Sequence, residues 1–433
     1  MPTLNTVSDR PDITDQARYV DGYPYRDFDA LRDQDPVQWY RRPGFEPFWA
    51  ITGLAEVAYV SRHPELFSSA QRVTLDQPDA IEMIEADIDA RAAMFGHDRN
   101  EAPALPYMDP PRHRELRRVM APFFSVRAVS ALEDRFIELA ETYVDDFRAI
   151  LEAEGTADVA TRLTNRLPVV AICEMVGVPE ADREDVLSWT EGLVGCADPD
   201  QQLPGEDAAA AFQRNMAALG GYLAEYVRTR MEQQGGDDLF AALVSAEVEG
   251  RKLAYHEVLY TVQNLLVAGN GTTRNAMAAG VRALLENPDQ LAALADNYSL
   301  LDSAVEEILR WSTIAVHFAR TCVQNTELGG KIIKAGETLV LWYPAANRDP
   351  AAFDDPHRFD ITRSANPHVA FGGNGAHVCL GQHLARLEIR AMLRAVVPLL
   401  LDLEPVGVPE TLVLHLQVAE LKRVLVRFKE GIA

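Results

Sequence analysis

Cysteine is scarce in this sequence. Cys173, Cys196, Cys322 and Cys379 are the only four in 433 residues, and none is in a Cys-x-x-Cys spacing. That excludes a disulfide framework and a zinc ribbon, so a cysteine that matters here acts singly. Basic residues are also in short supply: 41 Lys and Arg face 65 Asp and Glu, a formal charge of −24. A surface of that sign repels phosphate backbones and anionic lipid, and nucleic acid is not an expected ligand. The first forty residues lack an apolar run of the roughly 7–15 residues of a signal core or the about 20 of an anchor. A cytoplasmic protein with no membrane anchor is therefore expected. Glycine (26), proline (25) and charged residues (24%) stand at ordinary levels, which removes collagen-like, disordered and coiled-coil classes.

What is present is length for a large core and a mostly helical spacing of apolar residues. Val129, Leu132, Phe136, Ala140, Tyr143, Phe147 and Leu151 recur at three- and four-residue steps and mark one amphipathic helix. Further helices are predicted at about 81–94, 167–178, 205–233, 237–246, 300–312 and 380–400. The run from about 256 to 285 is apolar enough for a central buried helix. Strand signals are fewer. Val37–Tyr40 and Phe48–Ile51 flank a Pro43-Gly44 turn and read as a hairpin, with Thr52 placed to cap the next helix. Short β-type runs occupy 321–343, and 424–428 reads as a final strand. The stretch 66–108 is irregular apart from its one short helix and long for a loop, and residues 1–24 read as an irregular extension. The expected fold is mainly α with a minor β part, in a single domain over 1–433.

Chemistry concentrates at Phe371-Gly372-Gly373-Asn374-Gly375-Ala376-His377-Val378-Cys379-Leu380-Gly381, directly before an apolar-periodic helix. Unpaired N–H groups and the helix dipole at such an N-terminus favour a thiolate, an available metal ligand. Gly373 and Gly375 would let backbone approach a flat, bulky ligand and adopt positive φ. A lone cysteine is usually an inert core residue; the glycine-rich surroundings set this one apart. From Gly375 through Gly381 the segment resembles the heme-ligand loop of the cytochrome P450 family, Phe-Gly-x-Gly-x-His-x-Cys-x-Gly, although Phe371 stands eight residues before Cys379 instead of seven. The resemblance implies a P450 fold with heme b between the central helix and this loop. It implies Cys379 as the proximal thiolate on the iron, Phe371 against the sulfur, and electron donation that favours O–O cleavage.

Three further segments match the same family in order. Glu307 and Arg310 stand at i and i+3, a common solvated pair by themselves; the resemblance makes them a structural lock beside the heme, completed by Asn347, Arg348 and Phe359. Ala268-Gly269-Asn270-Gly271-Thr272-Thr273 puts two glycines inside a helix at about 1 kcal/mol each, which suggests either a turn deformed around a ligand or close helix packing through small residues. By resemblance this segment lines the oxygen pocket, with Ala268 and Gly269 beside the heme and Thr272 guiding protons. The family's acid is absent, its position being Gly271. Water held beside Gly271 by Thr272 and Asn270 is expected in its place, since a proton relay contributes roughly 10²–10⁴-fold to such steps. A substrate carrying its own acid or hydroxyl, and weak oxygen activation, are the alternatives. His113 and Arg117, four apart on a helix opened by Pro110-Pro111, can clamp a carboxylate. The resemblance assigns them to one heme propionate, Arg320 and His377 to the other, and Gly373 and Gly381 to the heme-binding loop.

Arg112, Arg114, Arg118, Arg386 and Arg390 are expected to gather near the thiolate face and steer an acidic electron donor. The sequence carries no flavin or iron–sulfur domain, so electrons from NAD(P)H must arrive through separate redox partners, by resemblance a ferredoxin and a ferredoxin reductase. Pocket walls are expected from 66–106, 187–210, 265–272, 314–318 and 416–418, with Leu265, Ile314, Val316, His317 and Gln417 among the lining residues. An isolated His317 is more ordinarily a satisfied core or surface histidine. Such a lining suits a hydrophobic small-molecule substrate. The segments 268–275 and 371–377 resemble a bacterial subgroup that hydroxylates sterols, terpenoids or branched fatty acyl chains. The implied function is a monooxygenase inserting one atom of O2 into such a molecule. Oxidation of an aminoacyl or acyl group tethered to a carrier protein is the runner-up. A heme-binding protein without turnover and a helical interaction protein without cofactor are readings of other classes.

Overall fold

The structure, a computed structural model, describes residues 11–76, 78–96, 104–196, 198–233, 235–408, 410–414 and 418–431. The first half carries helices α1 (Tyr25–Gln34), α2 (Leu54–Arg62), α3 (Pro78–Phe95), α4 (Arg112–Met120), α5 (Val126–Ser130), α6 (Glu133–Glu154), α7 (Val159–Arg162), α8 (Arg166–Val176), α9 (Arg183–Val194) and α10 (Ala208–Gln233). The second half carries α11 (Leu239–Ser245), α12 (Tyr255–Glu286), α13 (Pro288–Asp296), α14 (Leu301–Ser312), α15 (Tyr343–Ala346) and α16 (Gln382–Leu400). Strands are short: β1 (Val37–Tyr40), β2 (Phe48–Ile51), β3 (Phe67–Ser68), β4 (Ala157–Asp158), β5 (Glu247–Val248), β6 (Arg251–Lys252), β7 (His317–Cys322), β8 (Thr326–Leu328) and β9 (Lys331–Ile333). β10 (Thr338–Trp342), β11 (Leu403–Pro405), β12 (Glu410–Leu414), β13 (Val418–Arg423) and β14 (Leu425–Phe428) complete them. The mainly helical architecture with small sheets is the one expected.

The expected hairpin forms, with Val37 opposite Ile51, and it joins a five-stranded sheet in the order β1-β2-β10-β7-β3. β10 runs parallel to β2 and antiparallel to β7. Thr52 does not cap α2: its hydroxyl turns to the Pro36 carbonyl, and the Leu54 N–H instead donates to Asp349 Oδ2 at 2.8 Å. The cap comes from 295 residues away, which no local pattern signals. Residues 11–24 are irregular apart from a short 3-10 turn at Gln16–Tyr19, yet packed, with Ile13 and Tyr19 buried beside Tyr40, Phe48 and Trp342. The helix expected at 81–94 is longer, and α1, α9, α13 and the β12–β13 hairpin carried no recognised signal. In that hairpin Glu410, Glu420, Lys422 and Arg423 interrupt the apolar alternation that reads as a strand.

The central helix is α12, and it is buried nearly all round, as its composition requires. Glu257 in its first turn accepts the Ala254 N–H at 2.7 Å, fixing its start. α8, α9, α14 and α16 pack around it in one apolar cluster that also takes in α6. At the α14 crossing a Cβ on Gly280 would come within 2.8 Å of Ile308, so only glycine permits that approach.

One carboxyl in this core is unusual. Glu388 of α16 is 1% exposed, its Oε2 lacks a hydrogen-bond partner, and burial pushes its pKa well above the ordinary carboxylate value. A folded pKa raised above the unfolded one contributes stability below the unfolded value, and loses it as pH climbs through the folded value. Glu388→Gln is therefore expected to raise the melting temperature at pH 8 and leave it unchanged at pH 4; thermal unfolding at the two pH values checks this.

Candidate active site

The segment before α16 is positioned by α2. Its positive φ values fall at Gly372 (92°) and Asn374 (57°), not at Gly373 and Gly375 as expected. Those two glycines serve close approach to protein: a Cβ on Gly375 would stand 1.6 Å from the Ser61 carbonyl oxygen, and one on Gly373 within 2.8 Å of Ser61 and Ala58. A side chain at Gly381, by contrast, would meet open space. Cys379 donates its N–H to the Phe371 carbonyl at 2.9 Å. Of the four cysteines it alone has an exposed surface. Burial nevertheless raises its thiol pKa, opposed by the Gly381 N–H and the charges of Arg117 and Arg386. Cys173, an ordinary core cysteine, is pushed up to about 12 by burial.

Nitrogen groups converge nearby. His113 of α4 and His377 lie with ring centroids 4.1 Å apart, and the Nε2 of each is buried without a partner. Burial first, then the charge of Arg117, lowers the His113 pKa to about 4. Burial, then Arg320, His113 and Arg117, lowers that of His377 to about 3. Arg320 on β7 is 6% exposed and spends one N–H on the Ala319 carbonyl. Arg117 forms no ion pair among the described residues, and Asp109 is engaged by Ser68 Oγ and the Ser69 N–H. Two guanidiniums and two unmet imidazole nitrogens, near Asp109 but with no carboxylate hydrogen-bonded to them among the described residues, fit a ligand that brings its own carboxylates, as heme does.

α12 passes this region without a break, so its glycines do not mark a deformed turn; close packing accounts for Gly269 and not for Gly271. A Cβ on Gly269 would meet Ile172 of α8 at 3.1 Å, and one on Gly271 would meet Val194 of α9 at 3.7 Å, an ordinary contact. Leu265, Ala268 and Thr272 share a face and keep accessible surface, and the Thr272 hydroxyl donates to the Ala268 carbonyl at 3.0 Å. Asn270 is 1% exposed; its Nδ2 donates to Thr190 Oγ1 at 2.9 Å and its Oδ1 has no partner. One turn on, Arg274 bridges Glu191 of α9, at 2.9 Å, and Glu420 of β13. Lys422 reaches Asp198 and Asp200, each at 2.8 Å. Sequence reasoning missed this ionic seam, although an arginine inside an apolar helix demands buried partners.

Glu307 and Arg310 are both 0% exposed and paired through two bonds of 2.8 and 2.7 Å. The remaining Arg310 donors reach the carbonyls of Asn347, Pro356 and Arg358, while Glu307 also accepts from Asp360 N–H, Arg363 and Asn366. Asn347 holds the Val369 N–H, Arg348 donates to the Arg310 and Trp311 carbonyls, and Phe359 packs edge-on to Trp311.

The lining and charge expectations need correction. Val316 and His317 are 0% exposed; His317 Nε2 accepts the Leu75 N–H at 2.8 Å and its ring lies against Trp342, so both are core. Ile314 stays partly accessible beside β13, and Gln417 lies outside the described residues. The arginine patch is mostly neutralised, since Arg112 pairs with Glu249 and Glu257, Arg386 with Glu306, and Arg390 with Glu133 and Asp302. Arg114 and Arg118 remain exposed, with no ion pair among the described residues.

A family model described as cytochrome P450 matches residues 83–400. This chain belongs to the cytochrome P450 family. It is 34% identical over 422 residues to a steroid C26-monooxygenase of Mycolicibacterium smegmatis, covering 95% of this chain and 92% of that one. It is 36% identical over 371 residues to a methyl-branched lipid omega-hydroxylase of Mycobacterium tuberculosis, covering 84% and 81%. Among solved structures, a Mycobacterium marinum cytochrome P450 in complex with pseudoionone superposes with TM-score 0.83 at 36% identity, over 97% of this chain and all (100%) of that one. A P450BioI complex with hexadec-9Z-enoic acid ligated acyl carrier protein gives 0.78 at 26% identity, over 96% and 100%. The chain is thus a P450 monooxygenase, and the family implies thiolate-ligated heme iron and O2. Among the described residues no helix is long and apolar enough to cross a membrane.

Two consequences can be measured by chemical or thermal unfolding. Arg310→Met leaves the buried Glu307 with only the longer Arg363 ion pair at 3.3 Å and opens the Asn347, Pro356 and Arg358 carbonyls, and is expected to cost about 3–5 kcal/mol. Gly375→Ala drives a Cβ into the Ser61 backbone and is expected to abolish soluble folded protein, whereas Gly271→Ala, facing only Val194 methyls, is expected to stabilise by up to about 1 kcal/mol.

Proposed function

We propose that this P450 inserts one oxygen atom from O2 into a carbon near the end of a steroid side chain or a methyl-branched lipid chain, as a cytoplasmic enzyme. The observation that carries the heme assignment is the juxtaposition of an accessible Cys379 with an uncompensated group of His113, Arg117, Arg320 and His377. In this reading Cys379 is the thiolate ligand, and heme b, when bound, supplies the oxygen activation. His113 and Arg117 hold one propionate carboxylate, Arg320 and His377 the other, each pairing satisfying a nitrogen that is otherwise buried without a partner. The Glu307–Arg310 lock keeps the ligand segment in place.

Leu265, Ala268 and Ile314 contribute an apolar wall that excludes water and orients a greasy chain by shape. The Thr272 hydroxyl, now donating to the Ala268 carbonyl, can turn to pass a proton toward the cavity from water on that side, because Gly271 and Asn270 face α9 and not Thr272. Both curated relatives reported above carry names of terminal or side-chain oxidation of lipids, which supports the substrate class. Electrons from NAD(P)H come through a ferredoxin reductase and a ferredoxin, and exposed Arg114 and Arg118 are cations available to an acidic donor.

A ferric spin-state titration, followed at the Soret band, tests this reading. Sterols and branched lipids are expected to shift the protein toward high spin by displacing the iron-bound water. A shift produced only by carrier-protein-tethered acyl chains would replace the substrate assignment, and a purified protein with no Soret band would overturn the heme reading.

A further inference from the structure

Arg386 is the residue whose surroundings differ most from a docking role. Its Nε and Nη2 donate to the two Glu306 carboxylate oxygens at 2.6 and 2.9 Å, and its Nη1 to the Gln382 carbonyl and side chain at 3.3 and 3.2 Å. With every guanidinium nitrogen engaged, its face lies over the Phe371 ring, Cζ 4.6 Å from the centroid. His368 closes the group from the other side, with Nε2 3.0 Å from Glu306 and its ring 6.2 Å from Phe371. Phe371 in turn holds the Cys379 N–H.

We infer that Arg386, oriented by Glu306, is a positioning residue for the Cys379 ligand: it clamps Phe371 against the cysteine segment and sets the charge felt by the sulfur. This rests on Cys379 being the heme ligand. The segment benefits from such a clamp, because it carries one residue more than the family's usual spacing. The planar, forked guanidinium suits the place, since it can bind a carboxylate in two bonds and stack on a ring at once, which an ammonium cannot.

The electrostatics have a sign. Arg386 lies over Phe371, whose carbonyl holds the Cys379 N–H, and a cation beside a redox centre favours its reduced state. Glu306 offsets that charge and is itself ionised: burial alone would raise its pKa, but hydrogen bonds from His368 and Arg386 hold it at about 2. Removing the arginine and removing the carboxylate therefore push the heme potential in opposite directions, whereas a merely structural brace would move both variants alike.

The test is the heme reduction potential of Arg386→Gln, Glu306→Gln and the double variant, with the ferrous–CO spectrum of each. Arg386→Gln is expected to lower the ferrous-to-ferric ratio at fixed potential about threefold, ~30 mV for one electron. Glu306→Gln is expected to raise it by a similar factor, and the double variant to return near wild type. If Arg386→Gln does not fold, Arg386→Lys keeps the charge and is expected to hold the potential while part of the ferrous–CO band moves to that of heme lacking its thiolate. Equal potentials in wild type and Glu306→Gln, or shifts of one sign in both neutralised variants, would overturn the inference. A wild-type protein without the red-shifted ferrous–CO band of thiolate heme would overturn the ligand assignment and this clamp together.

Discussion

The Glu307–Arg310 pair is the constraint on which the rest of the site depends. Taking two charges out of water costs several kcal/mol per ion, and mutual attraction repays it only when the remaining donors and acceptors are filled. Here all five arginine N–H groups are used, three of them on carbonyls of Asn347, Pro356 and Arg358. Between α15 and α16 no helix or strand intervenes. That long connection takes its shape from the ion pair, not from a ladder of its own, and Asn347 passes the geometry to Val369, two residues before Phe371. The sulfur's position is inherited from a salt bridge.

The two sides of the site are built by different physics. On the cysteine side backbone meets backbone: Gly375 lies so close to the end of α2 that no side chain fits, and α2 is itself started by a carboxylate, Asp349, from that same connection. On the α12 side, small residues and polar side chains mediate. Gly269 admits Ile172, and Asn270 and Arg274 reach outward to α9.

What the sequence disclosed followed from range. Cys379, Glu307, Arg310, His113 and Arg117 sit in short motifs whose spacing is fixed by one helix or one turn, and the long apolar run of α12 advertises burial by itself. Contacts between distant segments carried no such mark. Whether Gly373 faces a ligand or Ser61, whether His317 meets a substrate or Leu75, and whether Arg386 looks outward or onto Phe371 are decided by segments 15 to 312 residues away in sequence. The burial of Ile13 and Tyr19 is of the same kind, since an acidic, irregular stretch reads as solvated until the groove that receives it is known.

The seam joining α9 and the turn after it to α12 and β13 is made of Glu191, Arg274, Glu420, Lys422, Asp198 and Asp200. Parting an apolar seam would expose hydrocarbon and invite aggregation; parting this one releases groups that water hydrates readily. Salt in the medium would loosen the seam's more exposed Lys422–Asp200 end and leave the buried Arg274–Glu420 end nearly unscreened.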